Sequence, residues 1–238
     1  MLEDIASSIS LFGKTTFIPY STMGETLNEI KYNVCDNVEV LSSYYGNLQK
    51  KDPMQALEAQ VSSDVMEGDM LILFISSSGG EHKTLPNGFQ KIANTSKKGG
   101  KLALLSAYKI WHHNDPLIFD IPKESKNLSV SLLTIRGPLF VMDAKSRIDT
   151  CNSLRGEAIS PRVETHENGA LLTAFCYADP HAVTIRRQKT LVSLKSQDDG
   201  IAVGISKSDG GLSKRIHACA QEILAGSGDD IAMAVSIY

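Results

Sequence analysis

The chain of 238 residues is 42% hydrophobic and 21% charged, a composition that is typical of soluble globular proteins and excludes overall disorder. Its formal net charge of −3 argues against a strongly nucleic-acid-binding domain. No apolar run reaches the roughly 20 residues that cross a bilayer, and the first residues lack the basic start and apolar core of a secretory signal. The four cysteines lack CxxC spacing, so the sequence predicts neither a disulfide framework nor a zinc site and fits a reducing compartment.

The first half of the chain alternates predicted strands with predicted helices. A strand at 15–20 precedes a helix at 23–34, in which Leu27, Ile30 and Val34 recur at helical spacing. Asp52-Pro53 begins a second helix, with Leu57 on its apolar side. Further strands are predicted at 37–41, 70–75, 101–107 and 117–121.

The second half is predicted to be rich in strands. Residues 128–143 are almost uncharged and indicate one or two core strands, interrupted at Gly137-Pro138. Residues 145–169 are polar and rich in turn formers, which is typical of a linker. Beyond them we expect strands at 170–177, 181–194 and 200–206, a short helix at 212–224 and a last strand at 231–238.

One candidate for chemistry is the apolar strand that runs into Ser76-Ser-Ser-Gly-Gly80. Backbone N–H groups and small hydroxyls in such a turn can hold a phosphate. The segment 67–107 resembles the sugar-phosphate isomerase (SIS) domain, and that resemblance implies that Ser76, Ser77, Ser78 and Thr84 would bind a sugar phosphate. The following Leu85-Pro-Asn-Gly88 interrupts the helix that such a site needs, which favours an exposed loop at 76–80 instead.

A second set of motifs extends over most of the chain in a fixed order. It comprises Leu85-Pro-Asn-Gly-Phe89, Ala93-Asn-Thr-Ser96, Phe119-Asp-Ile-Pro-Lys123, Phe175-Cys-Tyr-Ala-Asp179 with Val183-Thr-Ile-Arg-Arg187, and the glycine-rich stretch 200–216. In this order the chain resembles the matrix proteins of non-segmented negative-strand RNA viruses, the paramyxoviruses and pneumoviruses.

That resemblance implies a mainly β fold with short helices, built as two β-sandwich-like domains at 1–148 and 166–238 with a linker at 149–165. It implies a structural protein rather than an enzyme, without catalytic residues, metal or cofactor. Its expected partners are other copies of itself in a homodimer and a higher lattice, anionic membrane lipids, the viral nucleocapsid and an envelope glycoprotein, and specific nucleic-acid binding is not expected. Its expected location is the virion beneath the envelope, and in the host cell the cytoplasm and the inner face of the plasma membrane. The sugar-phosphate isomerase, or a sugar-phosphate-binding regulator, stays as the alternative.

A membrane-coating role requires a positive surface patch. The candidate lipid-binding residues are the basic side chains of the last third, and Arg187 and Lys189 are expected to share one face of a strand because they are two apart. The full predicted set is Arg186, Arg187, Lys189, Lys195, Lys207, Lys214 and Arg215. The alternative is that these charges serve solubility at a sheet edge.

The apolar end of the chain is a candidate for either folding or assembly. Residues 231–238 are expected to complete the C-terminal sheet, with contact between subunits as the alternative.

Overall fold

The structure is a computed structural model, and it describes residues 25–49, 56–78, 85–97, 102–112, 117–120, 127–138, 140–150, 157–177, 183–195, 200–220 and 229–238. These ranges contain sixteen strands and no helix. The first eight strands are β1 (Glu25–Cys35), β2 (Val38–Gln49), β3 (Ala56–Glu58), β4 (Met70–Ser78), β5 (Gln90–Ser96), β6 (Ala103–Ile110), β7 (Ile118–Asp120) and β8 (Asn127–Arg136). The last eight are β9 (Val141–Thr150), β10 (Glu157–Ile159), β11 (Glu164–Tyr177), β12 (Val183–Ile185), β13 (Lys189–Lys195), β14 (Gly200–Leu212), β15 (His217–Ala220) and β16 (Asp229–Ile237).

Two large antiparallel sheets form the body of the protein. The first has six strands in the order β1-β2-β8-β4-β6-β5, and the second has five in the order β13-β14-β11-β16-β9. The chain passes from one sheet to the other between Arg136 and Val141, at the predicted Gly137-Pro138 break. Gly137 has a φ of 107°, and a Cβ atom there would lie 1.8 Å from the carbonyl oxygen of Asn37. Only glycine therefore fits at this crossover.

The central core lies between the two large sheets. In β4, Met70, Ile72 and Phe74 alternate toward this core, where they share one cluster with Leu172 of β11 and Met233 of β16. Because both sheets contribute to this cluster, they pack face to face as a β-sandwich.

Each large sheet also buries its outer face. Leu71, Leu73 and Ile75 of β4 form a second cluster with Leu57 and Phe119, which belong to the small sheet β3-β7. The five-stranded sheet is covered in the same way by the three-stranded sheet β10-β15-β12. Burial on both faces explains why β4 and β8 are continuous apolar runs in the sequence.

The predicted helices are wrong wherever the structure describes their residues. In β1, Ile30, Tyr32 and Val34 contact the central core with the period of two of a strand, whereas Leu27 contacts the outer cluster. Leu27 lies three residues before Ile30, and this odd spacing places the two side chains on opposite faces of a strand. Apolar residues on both faces of β1 thus produced the spacing that imitated a helix. Residues 23 and 24 lie outside the described residues, as does the predicted strand at 15–20.

The other two predicted helices are also replaced by strands. Residues 56–58 of the helix predicted after Asp52-Pro53 form β3, which pairs with β7. Of the helix predicted at 212–224, Leu212 ends β14, and residues 217–220 form β15 between β10 and β12. The remaining parts, residues 52–55 and 221–224, lie outside the described residues.

Strand pairing places the change of sheet earlier than the predicted domain boundary at residue 148. Residues 141–150 form β9, which pairs with β16 in the five-stranded sheet. The predicted linker at 149–165 contains the end of β9, all of β10 and the start of β11. The predicted last strand is confirmed as β16, and it completes the sheet by lying between β11 and β9. The described ranges contain no helix of the length and hydropathy needed to span a membrane.

Candidate anion-binding site

The serines of the predicted phosphate turn are buried in the first large sheet. Ser76, Ser77 and Ser78 belong to β4 and are almost completely inaccessible to solvent. The backbone N–H and the hydroxyl of Ser78 both donate to Oδ1 of Asn127, at 2.9 and 2.5 Å. The prediction of an exposed loop was therefore wrong for residues 76–78, and these hydroxyls do not face a ligand site. Gly79, Gly80 and Thr84 lie outside the described residues.

Three of the seven predicted basic residues converge on one cavity of about 230 Å³. Arg187, Lys207 and Lys214 all line it, although they come from three separate segments of the chain. Four hydroxyl residues and one acid, Asp209, also face it among the described residues. The remaining lining residues are Thr165, Leu171, Ser206, Ser208, Gly210, Leu212, Ser213 and Ile216.

Arg187 is positioned by the turn between β12 and β13. It adopts a left-handed backbone conformation, with a φ of 66°. The neighbouring Gln188 fastens this turn to the five-stranded sheet, because its Nε2 donates to the carbonyl oxygen of Leu171 at 2.9 Å and to Oγ of Ser206 at 3.3 Å. Its Oε1 also accepts a hydrogen bond from Oγ1 of Thr173.

The close approach of this turn depends on Gly204 of β14. A Cβ atom at position 204 would lie 2.8 Å from Oε1 of Gln188 and 3.0 Å from Cδ1 of Ile185. The absence of a side chain there lets the turn lie directly on the strand. Arg187 is therefore held at the cavity by a fixed turn and not by a free loop.

Lys207 and Lys214 lie on the other side of the cavity. Lys207 is an exposed residue of β14, opposite Ala170 of β11. Lys214 follows Ser213, whose backbone N–H donates to the carbonyl oxygen of Val163 at 2.8 Å and whose Oγ accepts from the N–H of Val163 at 2.9 Å. This reciprocal pair fixes the segment that carries Lys214.

The hydroxyl groups of the cavity differ in how they are used. Thr165 and Ser208 donate their protons to backbone carbonyl oxygens, those of Gly211 and His166. Ser206 and Ser213 instead act as acceptors, from Gln188 and Val163. Their O–H groups can therefore donate to a bound group. Three cations, two hydroxyl donors and one carboxylate form an arrangement that can bind a phosphate-like anion.

The other four predicted residues do not line this cavity. Lys189 is partly buried, and its Nζ lies 3.9 Å above the ring of Tyr32 in a cation–π contact. Arg187 lies in the turn before β13, so the two residues do not share one face of a strand as predicted. Arg186 and Arg215 are exposed neighbours of Arg187 and Lys214. Lys195 ends β13, and its side chain lies outside the described part of the structure.

Nothing in the amino-acid sequence singled out the polar partners of the site. Thr165 and Gln188 are ordinary polar residues whose roles depend on contacts between distant strands. The one available signal was the alternation of Ser206 and Ser208 along a strand, which places both hydroxyls on one face.

A larger cavity of about 470 Å³ lies where the two large sheets join. It is lined by Asn33, Cys35, Asp36, Asn37, Val38, Glu39, Arg136, Gly137, Asn168 and Tyr238. The positive charge of Arg136 is already paired, because its Nη2 lies 2.9 Å from Oδ2 of Asp69. Asp36 and Glu39 therefore give this cavity an acidic character, and it does not suit an anion.

No protein-family model, curated protein or solved structure matches this chain. Within the residues that the structure covers, the chain is an all-antiparallel β protein with a small basic cavity on its second large sheet.

Proposed function

We propose that this chain is a viral matrix protein, which assembles beneath a membrane, binds anionic lipid and links the viral envelope to the nucleocapsid during virion assembly and budding. The observation that carries this proposal is the convergence of Arg187, Lys207 and Lys214 on one cavity. A phosphate-bearing lipid headgroup is the anion that such a role requires. In this proposal each large sheet, with the small sheet on its outer face, corresponds to one β-sandwich-like domain of the matrix family.

The energetics of the cavity fit reversible binding to a membrane surface. Each basic residue close to an anionic leaflet contributes about 1 kcal/mol, and the contribution falls off within a Debye length of roughly 8 Å. Three such residues give weak attachment for one subunit. Repetition of the site through a dimer or lattice multiplies that attachment, because linked sites bind at a high effective concentration. This is the behaviour needed from a protein that coats a membrane only once it has assembled.

The alternative, a sugar-phosphate isomerase, finds no supporting feature in the described residues. Its predicted serines lie inside β4. The five-stranded sheet is antiparallel, whereas the isomerase fold requires parallel strands connected by helices. We therefore do not propose this activity.

Sedimentation with phosphatidylserine vesicles tests the proposed function. We expect the wild-type chain to bind at low salt and to dissociate as salt rises. Lys207→Gln and Lys214→Gln should each weaken binding about fivefold, which corresponds to about 1 kcal/mol, and the two together should weaken it about thirtyfold. Vesicles of phosphatidylcholine alone should bind little of the chain.

Lys91→Gln is the matched control. Lys91 is an exposed lysine on β5 of the other large sheet, so its replacement removes the same charge from the surface without touching the cavity. The proposal is contradicted if the chain binds no anionic vesicles at any salt concentration. It is also contradicted if Lys91→Gln weakens binding as much as Lys207→Gln does.

A further inference from the structure

The strand β9 lies at the outer edge of the five-stranded sheet. It is ten residues long, and β16 is its hydrogen-bonded neighbour on one side. No described strand pairs with its other side. Its inner face is covered by β5, through the hydrogen bond between Thr95 and Ser146. Among the described residues β9 is thus an edge strand, and the outward backbone N–H and C=O groups of an edge strand can pair with another strand.

Exposed apolar side chains are concentrated at this edge. Met142 and Ile148 of β9 are 43% and 41% exposed, and Phe140, which precedes the strand, is 46% exposed. Tyr238 adds to the patch, because its ring lies 5.6 Å from that of Phe140. The other edges of the two large sheets, β1, β5 and β13, carry no exposed large hydrophobic residue among their described side chains, and on the edge of a small sheet β7 carries one, Ile118. Apolar residues at an unprotected edge indicate that the edge is covered by a partner.

The charges along β9 suit pairing with a second copy of the same strand. Asp143 and Lys145 are two residues apart on one face, 3.4 Å from each other. An antiparallel pairing about a two-fold axis at Ala144 places Asp143 opposite Lys145 of the second copy, and the reverse pair forms by symmetry. A pairing centred on Lys145 would instead place two lysines opposite each other, which is destabilising.

We propose that a second copy of this chain pairs antiparallel along β9, about a two-fold axis at Ala144, and joins two five-stranded sheets into one continuous sheet. This inference names the interface for the self-assembly that is part of the proposed function, but it rests on the edge and its side chains alone. A second copy is the fitting occupant because the order of acid and base in β9 is complementary to itself.

Analytical ultracentrifugation from low to high micromolar concentration tests this interface without any lipid. We expect the wild-type chain to form dimers. Ile148→Lys should raise the dimer Kd about tenfold or more, because two symmetric lysines enter the interface. Met66→Lys is the control, because Met66 is 55% exposed in the segment before β4 of the other large sheet and lines neither described cavity. It should leave the dimer unchanged.

A charge exchange tests the register. Lys145→Asp alone should weaken the dimer, because an acid at position 145 then lies opposite Asp143 of the second copy. The double variant Asp143→Lys with Lys145→Asp should restore the dimer, because opposite charges again face each other. A wild-type chain that is monomeric throughout overturns the proposal, and so does equal dissociation of the Ile148→Lys and Met66→Lys variants. Backbone amides of β9 that are all protected from hydrogen exchange in a monomer also overturn it, because another segment would then cover the edge. Failure here leaves the vesicle assay of Lys207 and Lys214 unaffected, so the two proposals can fail separately.

Discussion

The buried carboxylate of Asp69 allows a sharp test of how the first sheet is held together. Asp69 precedes β4, and its side chain is only 6% exposed. Its two oxygens accept hydrogen bonds from Nε and Nη2 of Arg136, at 3.1 and 2.9 Å, and Oδ2 also accepts one from the backbone N–H of Met66 at 2.8 Å. The Arg136 guanidinium reaches further, to the carbonyl oxygen of Asp64 at 2.7 Å. This pair therefore fastens the segment before β4 to the end of β8.

Asp69→Asn keeps the size of the side chain but removes its charge. The amide NH₂ then faces donor groups, and Arg136 loses its counter-charge. Removal of one partner of a buried ion pair costs roughly 3–5 kcal/mol. Because Arg136 is 32% exposed and can be partly solvated, we expect the lower end of that range, about 3 kcal/mol.

Urea unfolding measures this loss. The single tryptophan, Trp111, is buried, and its backbone N–H donates to the carbonyl oxygen of Asp69 at 2.7 Å, so its fluorescence reports on this region. With an m value of roughly 3 kcal/mol per molar urea for a chain of this size, the midpoint should fall by about 1 M. Circular dichroism should give the same midpoint.

Asp64→Asn is the matched control from the same segment. Asp64 pairs with Lys31 at the surface, where the two side chains are 47% and 61% exposed. The pKa of Asp64 is lowered by its hydrogen bond from Lys31, but water screens this pair, and its loss should leave the midpoint close to that of the wild type. A midpoint for Asp69→Asn that is shifted no further than that of Asp64→Asn would contradict the stabilising role of the Asp69–Arg136 pair.

Two further predictions concern the five-stranded sheet and the three-stranded sheet that covers it. Gly204→Ala should displace Gln188 and loosen the turn that carries Arg187. We expect the free energy of unfolding in urea to fall by about 1–3 kcal/mol and binding to phosphatidylserine vesicles to weaken. A variant with wild-type stability and wild-type binding would refute this account of the turn. The pKa of Glu157 is lowered chiefly by its hydrogen bond with His217, so Glu157 contributes stability that is present above its ordinary pKa of about 4.3 and is lost as the pH falls through its lower folded value. Glu157→Gln should therefore be less stable than the wild type at neutral pH, and this gap should close in strong acid; a gap that does not change with pH would contradict the assignment.

The strands that the sequence predicted correctly are those whose burial decides their composition. β4 and β8 are buried on both faces, so they are continuous apolar runs between turn formers, and Gly137 marks the crossover because only glycine fits there. The same principle explains the failure at the serines. Ser76 lies opposite Ser129, and Ser78 opposite Asn127, in the pairing of β4 with β8. Such cross-strand polar pairs are a normal part of a sheet interior, but a single sequence does not show which strands are neighbours.

The candidate site was predictable only in part, for a related reason. Lys207 and Lys214 are close along the chain, so their proximity could be inferred from the sequence. Arg187 lies at the same cavity because the neighbouring Gln188 donates hydrogen bonds to residues of β11 and β14. The side chain of Lys189 instead contacts the ring of Tyr32, which belongs to the other large sheet. Both outcomes depend on contacts between residues far apart in sequence, which residue spacing does not encode.

The cavity and the proposed dimer edge lie at opposite sides of the five-stranded sheet. β14, which carries Lys207, is separated from β9 by β11 and β16. Three strand spacings amount to about 14 Å, which exceeds the Debye length of roughly 8 Å at physiological salt. A lysine placed at position 148 is therefore largely screened from an anion in the cavity of the same subunit. Consequently, a monomeric Ile148→Lys variant isolates the affinity of one cavity for a vesicle. The ratio of the wild-type vesicle affinity to that of the monomeric variant measures how much of the membrane attachment comes from self-assembly rather than from the basic residues themselves.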